Sequence, residues 1–121
     1  LETLGLRSNE IGAAGAQSLA GMLQVNRSLK SANLAGNNIG GEGAAAISKA
    51  LETNSSLEIL ILGDRRFGGN SISAAGAQAI AKMLAVNRAL NSVDLRYNGI
   101  PDGGKQQLRD AVKGKNTTLQ L

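Results

Sequence analysis

Along this chain, apolar and polar positions alternate in two different rhythms that take turns. A short stretch of period two, such as Leu4 and Leu6 against Thr3, Gly5 and Arg7, predicts a strand with one buried face. It is followed by Asn, then Ile, then glycine and alanine, and then apolar residues at helical spacing: Ala16, Leu19, Ala20 and Leu23. The same succession returns with Ala44, Ile47, Ser48 and Leu51, and again with Ala77, Ile80, Ala81 and Leu84. The small residues predict helices that lie close to one another. A second Asn (Asn26, Asn54, Asn87, Asn116) is expected to end each helix and lead into the next strand.

The units therefore run 1–28, 29–56, 57–89 and 90–118, with 119–121 opening a final strand. The third carries an insertion at about 63–69. One unit cannot bury its own apolar face, whereas stacked units can. Parallel strands stack about 4.8 Å apart and helices about 10 Å apart, so the stack must curve, strands inside and helices outside. The expected fold is α/β: a horseshoe-shaped solenoid segment, 1–121, with parallel strands on the concave face and helices on the convex face.

The pattern L-x-x-L-x-L-x-x-N-x-I-G-x-x-G-A-x-x-L-A-x-x-L-x-x-N is met almost completely by residues 1–26. It resembles a leucine-rich repeat of the ribonuclease-inhibitor type. Families with such repeats include ribonuclease inhibitor, the Ran GTPase-activating protein, the sensor domains of NOD-like receptors and the C-terminal domain of tropomodulins. The phrase LKSANLAGNNIGGEGAAAISKALETNSSLEILIL is most similar to tropomodulin repeats. The resemblance implies an intracellular, cytoplasmic setting and does not imply an activity, because one fold hosts many functions.

Composition narrows the chemistry. The chain has 121 residues, 42% hydrophobic but only 2% aromatic, so its core is aliphatic. It has no Cys and no His, which removes disulfides, thiolate metal sites and the usual general base. No cofactor and no metal are expected. Net charge is +4, with the charges scattered. No apolar run approaches the ~18 residues of a membrane span. Because the pattern opens mid-repeat, with Leu1, Leu4, Leu6 and Ile11 as an uncovered apolar edge, the chain reads as a fragment of a longer repeat protein. At the other end Lys105 and Arg109 occupy positions held elsewhere by small residues, so the fourth helix reads as a cap starting at Pro101 and Asp102.

The turn asparagines Asn9, Asn37, Asn70 and Asn98 are expected to replace missing backbone partners where the chain leaves each strand. The insertion, GDRRFGGN, emerges at the strand end, on the rim of the concave face. It contains Arg65, Arg66 and Phe67, with Gly68 and Gly69 read as a flexible return. Tyr97, beside Arg96, ends the following strand. Two aromatics with several arginines have the composition of a binding hot spot. The inner-face positions read as Thr3, Gly5, Arg7; Ser31, Asn33, Ala35; Ile59, Ile61, Gly63; and Ser92, Asp94, Arg96, among which Ile59 and Ile61 stand out as apolar. The candidate partner-binding residues are thus Arg7, Ile59, Ile61, Arg65, Arg66, Phe67, Asp94, Arg96 and Tyr97. Two other readings stay open for the loop: Phe67 folds back over Ile59 and Ile61, or the insertion is merely tolerated.

For function, the pattern favours a non-enzymatic scaffold that binds a protein partner, with a tropomodulin-like actin-binding segment or a GTPase-activating segment as alternatives. An arginine supplied in trans, from Arg65, Arg66 or Arg96, would stabilise phosphoryl-transfer charge. Against enzymes stands the lack of a phosphate-binding loop or paired carboxylates; the glycine-rich pieces belong to the repeat. Nucleic-acid or acidic-lipid binding through Arg7, Arg65, Arg66 and Arg96 is opposed by the interposed Asp64 and Asp94.

Overall fold

The computed structural model describes residues 2–121. Strand and helix alternate throughout: β1 Thr3–Gly5, α1 Gly12–Val25, β2 Ser31–Asn33, α2 Gly40–Leu51, β3 Ile59–Gly63, α3 Ser73–Val86, β4 Ser92–Leu95, α4 Asp102–Ala111 and β5 Thr118–Gln120. The strands form one parallel sheet in chain order, β1-β2-β3-β4-β5. The helices pack in the same order, each on the next. The aliphatic core lies between the two layers, with Leu34, Leu51, Leu57, Leu60, Ile72 and Ile80 at most 1% exposed. Leu1, expected at the uncovered edge, lies outside the described residues; Leu4, Leu6, Ile11, Leu19 and Met22 of the first unit are half-buried against the core.

Helix contacts are close because the facing side chains are small. Ala16, Ala44 and Ala77 are fully buried. A Cβ at Gly43 would lie 2.9 Å from the Ala16 Cβ, and one at Gly76 3.2 Å from the Gly41 Cα. A side chain at either glycine would therefore push α2 away from α1 or α3 away from α2.

The turn asparagines form a ladder. The Asn37 side-chain oxygen accepts from the Asn9 and Ile11 N–H groups (2.7 and 3.4 Å), and its amide donates to the Leu6, Leu34 and Ala35 carbonyls (2.7, 3.0 and 3.2 Å). One unit later, Asn70 accepts from Asn37 and Ile39 N–H (2.9 and 3.2 Å) and donates to the Leu34 and Leu62 carbonyls (2.9 and 2.7 Å). Asn98 repeats the bond to the Asn70 N–H at 2.6 Å. The helix starts have no side-chain caps. Instead the first N–H of α1, α2 and α3 donates to the next unit's Asn backbone carbonyl: Gly12 to Asn37, Gly40 to Asn70, Ser73 to Asn98. Each unit thus completes the one before it. The Asn9 side chain, in the first unit, is exposed and donates only within its own turn, to the Leu6 and Arg7 carbonyls.

The final strand departs from the sequence reading. Thr118 pairs with Ser92 and Leu119 with Val93, so the last unit is three residues shorter than 90–118 implies. Leu119 fills the second apolar position of its strand rather than the first. The physical reason lies at the end of α4. Asn54 and Asn87 donate to the carbonyls of the preceding unit's helix end (Leu23 and Asn26; Leu51 and Asn54). In the last unit the Lys115 ammonium takes that place, donating to the Leu84 carbonyl and, at 3.0 Å, to that of Asn87. Asn116 is exposed. Pro101 precedes α4 in an extended conformation, and its carbonyl accepts the first helical bond, from Lys105 N–H at 2.9 Å. Arg109 is exposed and Lys105 half-buried, which gives α4 a charged face.

Candidate functional site

The sequence places the candidate site where β3 ends. The register of β3 against β4 shifts between Ile61 and Gly63, and the extra residues are extruded there. They close into a small hairpin. Asp64 N–H donates to the Gly68 carbonyl at 3.1 Å, and Gly68 N–H returns to the Asp64 carbonyl at 3.0 Å. The Asp64 carboxylate caps the turn from inside, accepting from the N–H groups of Arg66 (2.9 Å) and Phe67 (2.6 Å). Gly68, read with Gly69 as a flexible return, is therefore hydrogen-bonded through both its N–H and its carbonyl.

Two neighbouring units make room for it. A side chain at Gly36 of the second unit would strike the Phe67 carbonyl, and one at Gly69 would strike the Tyr97 carbonyl. Gly36 also has φ +67°, which glycine adopts without strain. The loop backbone thus lies over the turn that follows β2, and the Phe67 ring reaches Arg7 of the first unit. The Arg7 guanidinium carbon stands over the Phe67 ring, 5.0 Å from its centroid, and that of Arg66 at 5.4 Å. Phe67 is half-buried, and Arg7, Arg65 and Arg66 are exposed. Sequence reasoning places Phe67 and Tyr97 on neighbouring units of one rim; the structure adds a contact of Phe67 with Arg7, two units away.

The next strand carries the second group. Asp94 is 5% exposed, which corrects its assignment as a partner contact. Its carboxylate accepts from the Arg96 guanidinium side-on (Nε 3.0 and 3.2 Å, Nη2 2.8 Å) and from the Arg96 N–H at 3.1 Å. Burial is tolerable because the charge is paired and bonded. The side-chain bonds that Arg96 donates to the Asp94 carboxylate are the main cause that holds its guanidinium above its ordinary pKa. Arg96 is thereby fixed in direction, with Nη1 uncommitted. Tyr97 is 62% exposed and sits at φ +62°, in the left-handed region. Ser8 and Gly36 hold the same place in their units, with φ 55° and 67°. A bulky side chain is costly there, and Tyr97 recovers little of that cost by packing.

Along the concave face Ile59 is 38% exposed and Ile61 half-buried. Ala35 and Gly63, expected on that face, are buried. Alternation fails at both because they lie at the strand ends, where the chain turns under the next unit. Among the described residues no group of three or more Asp or Glu is placed to hold a metal ion, and no helix is long and apolar enough to cross a membrane.

These features define a class. A family model for the leucine-rich repeat matches residues 1–20 and 25–48. Residues 1–20 and 25–48 are thus leucine-rich repeats, and the strand–helix units that follow repeat the same architecture. Among solved structures, that of the leiomodin-1 actin-binding site 2 (ABS2) shares the fold, with a TM-score of 0.80. The match covers 98% of this chain and 68% of the leiomodin chain at 19% identity, so the likeness is one of fold. No curated protein matches the chain by sequence.

Proposed function

We propose that this chain is a non-enzymatic interaction module that holds a protein partner against its concave strands and the rim loop 64–68. The observation that carries this reading is the rim itself. A rigid loop presents Arg65 and Arg66 beside Arg7, and the neighbouring unit presents Arg96 and a strained, exposed Tyr97. Aromatics and arginines held in place by backbone bonds, on the same sheet as an exposed isoleucine, supply contact area at low entropic cost on binding. Against the packing alternative for Phe67, the guanidiniums of Arg7 and Arg66 lie over its ring and Ile59 is 38% exposed, although Ile61 is half-buried.

Actin is the second reading, favoured by the shared fold with leiomodin-1 ABS2, whose name states actin binding. The test is capture of actin, and then of proteins from a lysate, by immobilised wild-type chain and by the Arg66→Ala/Phe67→Ala/Tyr97→Ala variant, once both are shown to melt alike. A partner held by the wild type and lost by the variant supports the module. A partner held equally by both moves binding off the rim. Stimulated GTP hydrolysis by a small GTPase, lost in Arg65→Ala or Arg66→Ala, would establish the GTPase-activating alternative instead.

A further inference from the structure

We infer that Arg7 and Arg66 over the Phe67 ring, with the exposed Arg65 in the same loop, form a receptor for a carboxylate-rich segment of the protein partner, an inference that rests on the interaction-module reading. Three observations carry it. First, none of these arginines forms a salt bridge; the ion pairs among the described residues are Lys30–Glu58, Arg96–Asp94 and Lys113–Asp110. The one acid in the loop, Asp64, spends a carboxylate oxygen on the Arg66 and Phe67 N–H groups, inside the turn. Second, Arg7 and Arg66 share one aromatic ring. Their distances to its centroid put the two cations within about 10 Å of each other, comparable to the screening length at physiological salt. The fold brings them together from units one and three with no anion between them. Like charges gathered this way repel, and a bound anion relieves the repulsion. Third, the site is built before binding: the hairpin bonds, the Asp64 turn and the bare Gly36 fix the ring on which the guanidiniums rest. A planar guanidinium stacked on a ring keeps its N–H edge available for a two-point bond to a carboxylate.

Carboxylates are favoured over a nucleic-acid backbone by the surroundings. The strands beside the cluster present Thr3, Ser31, Asn33 and Ile59, and Arg96 is already neutralised by Asp94. The positive charge is a spot rather than the track a phosphate backbone follows.

The probes are a short fluorescent peptide of alternating glutamate and alanine, its glutamine counterpart and a single-stranded oligothymidine, each titrated into the full chain at low salt and at about 0.15 M. The glutamate peptide is expected to bind saturably and the glutamine peptide not. Amide chemical shifts should move at residues 7 and 64–68. Arg66→Gln and Arg7→Gln should each weaken binding about fivefold, while Lys82→Gln, on α3, leaves it unchanged. Absence of saturable binding, shifts spread evenly over the helices, or tighter binding of the oligothymidine would each overturn the inference. The module reading is judged separately: a partner that is lost on Ile59→Asp or Tyr97→Ala but kept by Arg7→Gln/Arg66→Gln retains the module and removes the acidic receptor.

Discussion

Replacing Asn70 by alanine tests whether the ladder joins the units. The Asn70 side chain is 1% exposed and makes four bonds, two accepted from the N–H groups of Asn37 and Ile39 and two donated to the Leu34 and Leu62 carbonyls. Alanine leaves all four backbone groups without this partner. A buried polar group left unpaired costs ~1–3 kcal/mol. The space vacated is polar on several sides, so a water can enter and recover part of the loss. The net effect is expected at ~2–4 kcal/mol. With ~2.1 cal/mol/K of unfolding entropy per residue, each kcal/mol lowers the melting temperature of a chain this long by about 4 °C. The shift should therefore be about 8–16 °C, read by circular dichroism and checked by urea unfolding with an unchanged m-value. Asn9→Ala is the internal control. Asn9 donates to the Leu6 and Arg7 carbonyls but is exposed, so its loss should cost under ~1 kcal/mol. Asn70→Asp should be worse than alanine, because two carbonyls then face a carboxylate. Equal costs at positions 9 and 70, or an Asn70→Ala protein that melts like the wild type, would refute the ladder as the joint between units.

Tyr97→Gly should raise stability by up to ~1 kcal/mol by relieving the left-handed tyrosine, while weakening partner capture; melting and pull-down on the same samples check the opposed signs. Lys115→Met should cost ~1–3 kcal/mol, since it strands the Leu84 and Asn87 carbonyls, and equilibrium unfolding measures it. Asp110, bonded by Lys113 and then by Gln106, has its pKa below the ordinary 3.8. Its pairing therefore contributes fully above the unfolded value and is lost as pH falls through the lower folded value. A carboxyl NMR titration should show this midpoint rise in Lys113→Ala.

The repeat was legible because its signals reinforce one another: period two, then Asn, then period 3.6, four times over. The loop's position was legible too, since the beat resumes at Asn70 and Ile72. Its conformation was not. What fixes it is Asp64 bonding forward within the turn and a glycine in a different unit, Gly36, which composition presents as one more turn residue. Alternation assigned Asp94 to the open face, but a bonded partner two residues on, Arg96, lets the carboxylate stay buried. The last strand slipped by three in the sequence reading because LQL satisfies either register. Only the tertiary bond from Lys115, a residue type unlike the asparagine it replaces, fixes where α4 hands over to β5.

The measurement that bears most directly on the interaction face is amide hydrogen exchange on the chain with and without its captured partner. Slowed exchange at residue 7, 59–68 and 96–97, with the outer surfaces of α2 and α3 unchanged, is the predicted footprint. Protection confined to those helices, with the rim loop exchanging as in the free chain, would contradict it.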